Sequence, residues 1–287
     1  MGIKIILLII FFAVMAAVGI YSRRHVTSVD GFVLGGRSVG PWLTAFAYGT
    51  SYFSAVVFVG YAGQFGWKYG IASTWIGIGN ALIGSLLAWV VLGRRTKVMT
   101  QHLGSRTMPD FFGERYKSKS LKITASVIVF VFLIPYTASV YNGLSRLFAM
   151  AFNIPYTWCV VTMAAFTALY VILGGYMATA INDFIQGIIM LIGIVAVIAA
   201  VLNGQGGFMN AIAEMAKIPS DVPLTQGQPG AFTSFFGPDP VNLLGVVLLT
   251  SLGTWGLPQM IGKFYAIKDE KSISTGTIIS VSYTHLR

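Results

Sequence analysis

The sequence predicts an all-α, polytopic membrane protein, and three observations predict it. Of 287 residues, 55% are hydrophobic and only 10% are charged, against roughly a quarter charged in an ordinary soluble domain. Seven apolar stretches recur along the chain, each long enough for a helix to cross a hydrocarbon core about 30 Å thick. The basic residues between them favour alternate connections, as they do in a multi-pass protein. The formal net charge is +10, yet there is no run of like charges, so disorder and nucleic-acid binding are excluded as readings. One cysteine, Cys159, and three scattered histidines, His25, His102 and His285, give neither a disulfide framework nor metal-ligand spacing.

The predicted spans are 5–21, 42–62, 71–92, 123–143, 157–173, 178–202 and 241–261. Span 5–21 exceeds the apolar core of a signal peptide, and Arg23 and Arg24 follow it while only Lys4 precedes it. It is read as retained, with its amino terminus outside. In that register the cytoplasmic connections hold fourteen lysines and arginines and the outer ones three, Lys4, Lys68 and Lys217. Gly174 and Gly175 separate the fifth and sixth spans and permit a reversal there. Trp42, Trp67, Trp89 and Trp158 fall near predicted span ends, where indoles favour the headgroup zone. Within the basic connection 93–122, Met108-Pro109-Asp110 predicts the start of a short helix, since proline is tolerated in a first turn. The outer connection 203–240 carries five prolines and predicts irregular structure with no separate soluble domain.

No nucleophile elbow, zinc-protease pair or phosphate loop is present, so the chain is not read as an enzyme. The glycine-rich stretch 31–40 joins two spans and opens no strand-helix unit. The informative feature is a pair of polar interruptions. Gly49-Thr50-Ser51-Tyr52-Phe53-Ser54 lies in the middle of the second span and Thr250-Ser251-Leu252-Gly253-Thr254 in the seventh. Unwound backbone at membrane depth is tolerated only around a lined cavity. Spans five helices apart run in opposite directions, as do the paired broken helices of inverted-repeat transporters. Close helix packing through small residues is the plainer reading of either segment alone; the matched pair favours the cavity. Asp183 is the only charged residue between Arg146 and Glu214. It is read either as a cation station on an inward path or as an aspartate favoured by a helix amino terminus. Arg37 is read as a positive-inside anchor ahead of the second span, and Arg146 as a snorkelling side chain.

Three stretches carry a family resemblance: 33–41 (VLGGRSVGP), 174–190 with Gly174, Gly175, Asp183, Gln186 and Met190, and Pro258-Gln259 ahead of Lys263-Phe264. They resemble the sodium:solute symporter family over nearly the whole chain. The resemblance implies the leucine-transporter inverted-repeat fold with one extra amino-terminal helix, here 1–22. It implies a first five-helix repeat at 41–202, an outer loop at 203–240 and the start of a second repeat at 241–287. Carried over by position, the backbone carbonyls of Thr50 and Phe53 hold sodium, and Asp183 lies on the inner sodium path. Tyr52, Ser54, Tyr136, Thr250, Ser251 and Thr254 line the solute pocket, while Arg37, Gly49, Gly174, Gly175 and Gly253 serve gating or structure. Members that resemble the proline transporter carry an aspartate at the position of Tyr52 and aromatics at those of Thr250 and Thr254, so the pocket departs from theirs.

Family members continue for several more helices, so the chain is expected to be a fragment of about seven transmembrane helices and the start of an eighth, without transport of its own. The expected activity of the parent is sodium-coupled symport of a small polar solute across the cytoplasmic membrane. Its partners are the solute, the sodium ion and the lipid bilayer, with no other cofactor. The rival reading is a transporter-like solute sensor fused to a cytoplasmic signalling domain. A channel would want a repeated polar lining, whereas the polar groups here gather at two breaks.

Overall fold

The computed structural model describes residues 2–53 and 61–285, and the described residues are helical nearly throughout. In chain order the helices are α1 Gly2–Ser22, α2 Val29–Leu34, α3 Pro41–Tyr52, α4 Ala62–His102, α5 Met108–Tyr116, α6 Lys119–Phe152, α7 Tyr156–Gly204, α8 Phe208–Ala216, α9 Pro240–Leu252, α10 Pro258–Ala266 and α11 Glu270–His285. Four of them, α1, α4, α6 and α7, are long and apolar enough to cross a membrane. A fifth candidate is α9 with the turn up to Gly256 and α10, bent by 52°.

By length and apolarity the described residues give four candidate spans, or five with the bent pair, against seven read from the sequence, and two places account for the difference. Predicted spans 157–173 and 178–202 both fall within α7, whose 49 residues measure roughly 74 Å at 1.5 Å per residue. The glycine pair does interrupt it: Gly175 has φ 54° and ψ −149°, which is not helical. A Cβ there would stand 2.8 Å from the Phe32 carbonyl oxygen, so only glycine fits. The second predicted span, 42–62, is cut at its centre. α3 stops after 12 residues at Tyr52, and Phe53 leaves the helix with φ −93° and ψ 63°; residues 54–60 lie outside the described set.

Local chemistry explains the short elements. The Ser28 hydroxyl accepts from the Gly31 amide at 3.1 Å and starts α2. The Thr107 hydroxyl accepts from the Asp110 amide at 3.3 Å and Pro109 sits in the first turn of α5, as the sequence predicts. Connection 203–240 differs from its expected irregularity. Its prolines are confined to 219–240, and the proline-free stretch before them forms α8. The rest folds back on α4: a Cβ on Gly70 would lie 2.1 Å from the Phe232 carbonyl oxygen, and Trp75 Nε1 donates to the Phe235 carbonyl at 2.9 Å.

The interior is built around α3. Ala45, Tyr48, Tyr52 and Phe53 pack with Trp89 of α4, Met260 and Phe264 of α10, and Ile273 of α11. Trp89 is fully buried, with its ring edge-on to Tyr48 at 5.6 Å and to Phe264 at 5.1 Å. It is a core residue and not an interfacial indole; Trp42, Trp67 and Trp158 are exposed. Glycine permits the closest approaches. On Gly49 a Cβ would stand 2.3 Å from the Tyr283 ring, and on Gly84 only 2.1 Å from the Tyr52 hydroxyl.

Candidate functional site

The two interrupted helices meet on a single side chain of a third. Asn80, on α4, is 4% exposed, and its Oδ1 accepts from Tyr52 Oη of α3, and from Thr250 Oγ1 and Ser251 Oγ of α9, each at 3.0 Å. The Thr250 carbonyl, 2.8 Å from Tyr52 Oη, is an alternative acceptor for the same phenol proton. The breaks in α3 and α9 are thus joined either directly or through one amide. Tyr48 Oη donates to the Gly84 carbonyl at 3.0 Å, and Trp255 Nε1 to the Ile83 carbonyl at 3.1 Å. Both hold α4 against the same junction.

Beside this knot lies a cavity of about 400 Å³, within the range of small-molecule sites. Tyr52, Phe53, Tyr61, Phe65 and Ile76 supply its apolar walls; Ser73, Thr74, Asn80, Thr250 and Thr254 supply polar groups. Of the residues assigned to a solute pocket from the sequence, the structure brings Tyr52, Thr250 and Thr254 to this cavity. Ser251 is fully buried behind it and braces Asn80. Ser54 lies outside the described residues. Tyr136 is elsewhere: with Phe132 and the hinge Gly256-Leu257-Pro258 it lines a separate, almost wholly apolar hollow of about 470 Å³. Asn80 is the residue the sequence reading missed. The available signal was a lone amide in the middle of a charge-free span, where a polar group must find partners.

Apart from the cavity lining, α7 and α10 are joined by an ion pair. Lys263 Nζ of α10 lies 3.4 Å from Asp183 Oδ2 of α7, with the two side chains 8% and 24% exposed. The ammonium also sits 5.3 Å from the centre of the Tyr176 ring. Thr50 donates its hydroxyl to the Phe46 carbonyl at 2.9 Å and stands near the Asp183 carboxylate. So Thr50 and Asp183, both assigned to a cation path from the sequence, are neighbours. Phe53, the other residue of that path, forms the turn that ends α3. Among the described residues no group of three or more His, Cys, Asp or Glu could hold a metal ion.

The remaining assigned residues shape backbone. Gly49 admits Tyr283, Gly175 takes its non-helical conformation, and Gly174 packs against α1, where a Cβ would meet the Gly19 carbonyl oxygen at 2.8 Å. Gly253 opens the four-residue tight turn Gly253–Gly256 between α9 and the extended Leu257. Arg37 ends a left-handed turn through Gly35, Gly36 and Arg37, with φ of 58°, 65° and 55°. Its Nη2 donates to the Ser105 carbonyl at 2.7 Å. Burial pushes this guanidinium below its usual pKa, and Asp30 opposes the shift.

Comparison with known proteins agrees with the residues. The model of the sodium:solute symporter family matches residues 32–286. The chain belongs to the sodium:solute symporter family. That is a family of membrane transporters and not of enzymes, and the helices described above make this member a multi-pass membrane protein. It is similar to the sodium/proline symporters of Staphylococcus aureus strains JH9, JH1 and COL. With each it is 32% identical over 286 residues, covering 97% of this chain and 52% of the relative. The chain spans about half the length of these curated relatives.

Proposed function

We propose that this symporter-family protein serves sodium-coupled uptake of a small polar solute across the cytoplasmic membrane, its amino terminus outside. The observation that carries the reading is the junction of two interrupted helices on Asn80, beside a cavity with aromatic walls and a few polar groups. Helices broken at mid-depth supply carbonyl oxygens for a cation and hydroxyls for a solute. On this reading the fold is of the leucine-transporter type, with α1 as the extra helix, a first repeat at 41–202 and a second beginning at 241. The Thr50 and Phe53 carbonyls hold sodium, and Tyr52, Asn80, Thr250 and Thr254 contact the solute. Tyr52 is a neutral donor where the proline-type pocket has a carboxylate, so the preferred solute is one that offers an acceptor there and needs no buried counter-charge.

On this reading sodium leaving the site inward meets the Asp183 carboxylate, which is already paired with an ammonium. Inward release then exchanges Asp183 between sodium and Lys263, because a cation leaves a carboxylate more readily when a second cation takes its place. Linkage requires that solute raise sodium affinity by the factor by which sodium raises solute affinity. The test is uptake by cells expressing the uninterrupted gene that encodes this chain, across a panel of neutral and zwitterionic solutes, in sodium against choline medium. Sodium-dependent uptake of one solute is expected; equal uptake in both media overturns the coupling.

A further inference from the structure

A second polar cluster lies outside the site described above. Lys97 Nζ, Arg37 Nη1 and Ser105 Oγ are buried, and none has a hydrogen-bond partner among the described residues. The three belong to one locality. Arg37 Nη2 donates to the Ser105 carbonyl at 2.7 Å and reaches the Thr100 carbonyl at 3.4 Å, while Thr100 Oγ1 lies 3.1 Å from the Lys97 carbonyl. Lys97 and Ser105 are 0% and 1% exposed; Arg37 is half-buried and is the most exposed of the three.

The carboxylates nearby make their hydrogen bonds elsewhere. Asp30 accepts from Arg106 Nε at 2.6 Å and Asp110 pairs with Lys122 at 2.5 Å, while Asp269 accepts from the Ser272 amide at 2.7 Å and acts on Lys97 through its charge alone. Two cations and a hydroxyl of one locality thus each bury a polar atom that has no partner among the described residues, an arrangement that is costly unless an anion completes it. The donor geometry selects the anion. A guanidinium edge, an ammonium with three protons and a hydroxyl suit a tetrahedral anion with several oxygens better than a halide. The backbone is committed to the arrangement, because Arg37 holds a left-handed conformation, φ 55°, that is unfavourable for a residue with a Cβ. Arg94, Arg95 and Arg106 lie on the same stretch of chain and add to the positive field.

We propose that Arg37, Lys97 and Ser105 form an oxyanion site that takes a phosphate group, either of an anionic lipid headgroup or of inorganic phosphate. Arg37, the most exposed of the three, receives the anion, and the four-carbon stem of Lys97 brings its ammonium to a second oxygen. The site is independent of the solute cavity and of the proposed transport.

The test uses the purified chain in a neutral detergent, with thermal unfolding followed by tryptophan fluorescence. One arm titrates potassium phosphate against potassium chloride at matched ionic strength. The other compares micelles containing phosphatidylglycerol with micelles containing phosphatidylcholine. The readout is the anion-dependent increment in midpoint, since Lys97→Met removes an unpaired ammonium and shifts the baseline by itself. A saturable increment in either arm is expected, and which arm gives it names the source. Loss of one charge-assisted partner should weaken the half-saturation by roughly tenfold in Lys97→Met and in Arg37→Gln, while Lys97→Arg keeps it. The proposal is overturned if the midpoint follows ionic strength alone and is equal with the two lipids. An increment that survives unchanged in Arg37→Gln overturns it as well, and that variant is informative even where Lys97→Met does not fold.

Discussion

Replacing Asn80 by leucine tests how the two interrupted helices are joined. Three hydroxyls lie 3.0 Å from Asn80 Oδ1, and at about 1 kcal/mol net per bond the simple sum approaches 3 kcal/mol. Proton counting gives a smaller figure. Each hydroxyl has one proton, and Tyr52 has the Thr250 carbonyl at 2.8 Å as an alternative acceptor while Thr250 has the Val246 carbonyl at 2.9 Å. Ser251 is fully buried and donates to Asn80. The substitution therefore strands one hydroxyl, and leucine approximates asparagine in shape, so the expected loss is about 1–2 kcal/mol. The assay is a set of double-mutant cycles on reversible unfolding in micelles, pairing Asn80→Leu with Ser251→Ala, Thr250→Val and Tyr52→Phe in turn. A coupling of about 1 kcal/mol is expected with Ser251, and less than about 0.5 kcal/mol with each of the others. Equal couplings for all three, or strict additivity with Ser251, would refute the proton count.

Gly84→Ala places a methyl 2.1 Å from the Tyr52 hydroxyl; overpacking should cost about 1–3 kcal/mol, and Tyr52→Phe in the same chain should restore part of it, read from the same unfolding curves. Gly175→Ala meets both a forbidden conformation and the Phe32 carbonyl, so a loss of at least about 2 kcal/mol is expected, and wild-type thermal stability would contradict the assigned backbone. Asp183→Asn leaves the Lys263 ammonium buried without its counter-ion and should destabilise by about 3 kcal/mol or more; adding Lys263→Gln should recover much of that, and an additive double variant would show that the pair is not coupled. The Asp269 carboxyl is held below the ordinary aspartate range, chiefly by the Ser272 amide. Its cap on α11 is therefore fully present above that range and lost as pH falls through the depressed value. A carbon-detected titration placing Asp269 at or above the ordinary range would reject the cap.

The apolar periodicity and the glycine pair made the helical architecture legible, because hydrophobic length and helix-breaking glycine are local properties. The break near Phe53 and the turn at Gly253 were legible for the same reason. Partnerships were not. Trp89 looks like an interfacial indole by its place near a span end, and only the packing of Tyr48 and Phe264 makes it core. Tyr136 lies in a polar-sounding position, yet its neighbours are apolar side chains and the hinge at Pro258. Asn80 sits in a run of glycine and apolar residues whose composition says nothing of the hydroxyls 170 residues further on. The runs 157–173 and 178–202 are joined in one helical element, yet its backbone leaves helical geometry at Gly175, between them, where the sequence reading divided it.

One oxygen shared by three helices also limits how such a protein can change. A new solute preference that alters Tyr52 removes the one phenol proton that Asn80 and the Thr250 carbonyl share, so selection acts on the trio as a unit. Laboratory evolution of this pocket should accordingly yield paired substitutions in the third, fourth and ninth helices more often than single ones. Libraries that randomise positions 52, 80, 250 and 251 jointly will find variants that one-at-a-time scanning misses.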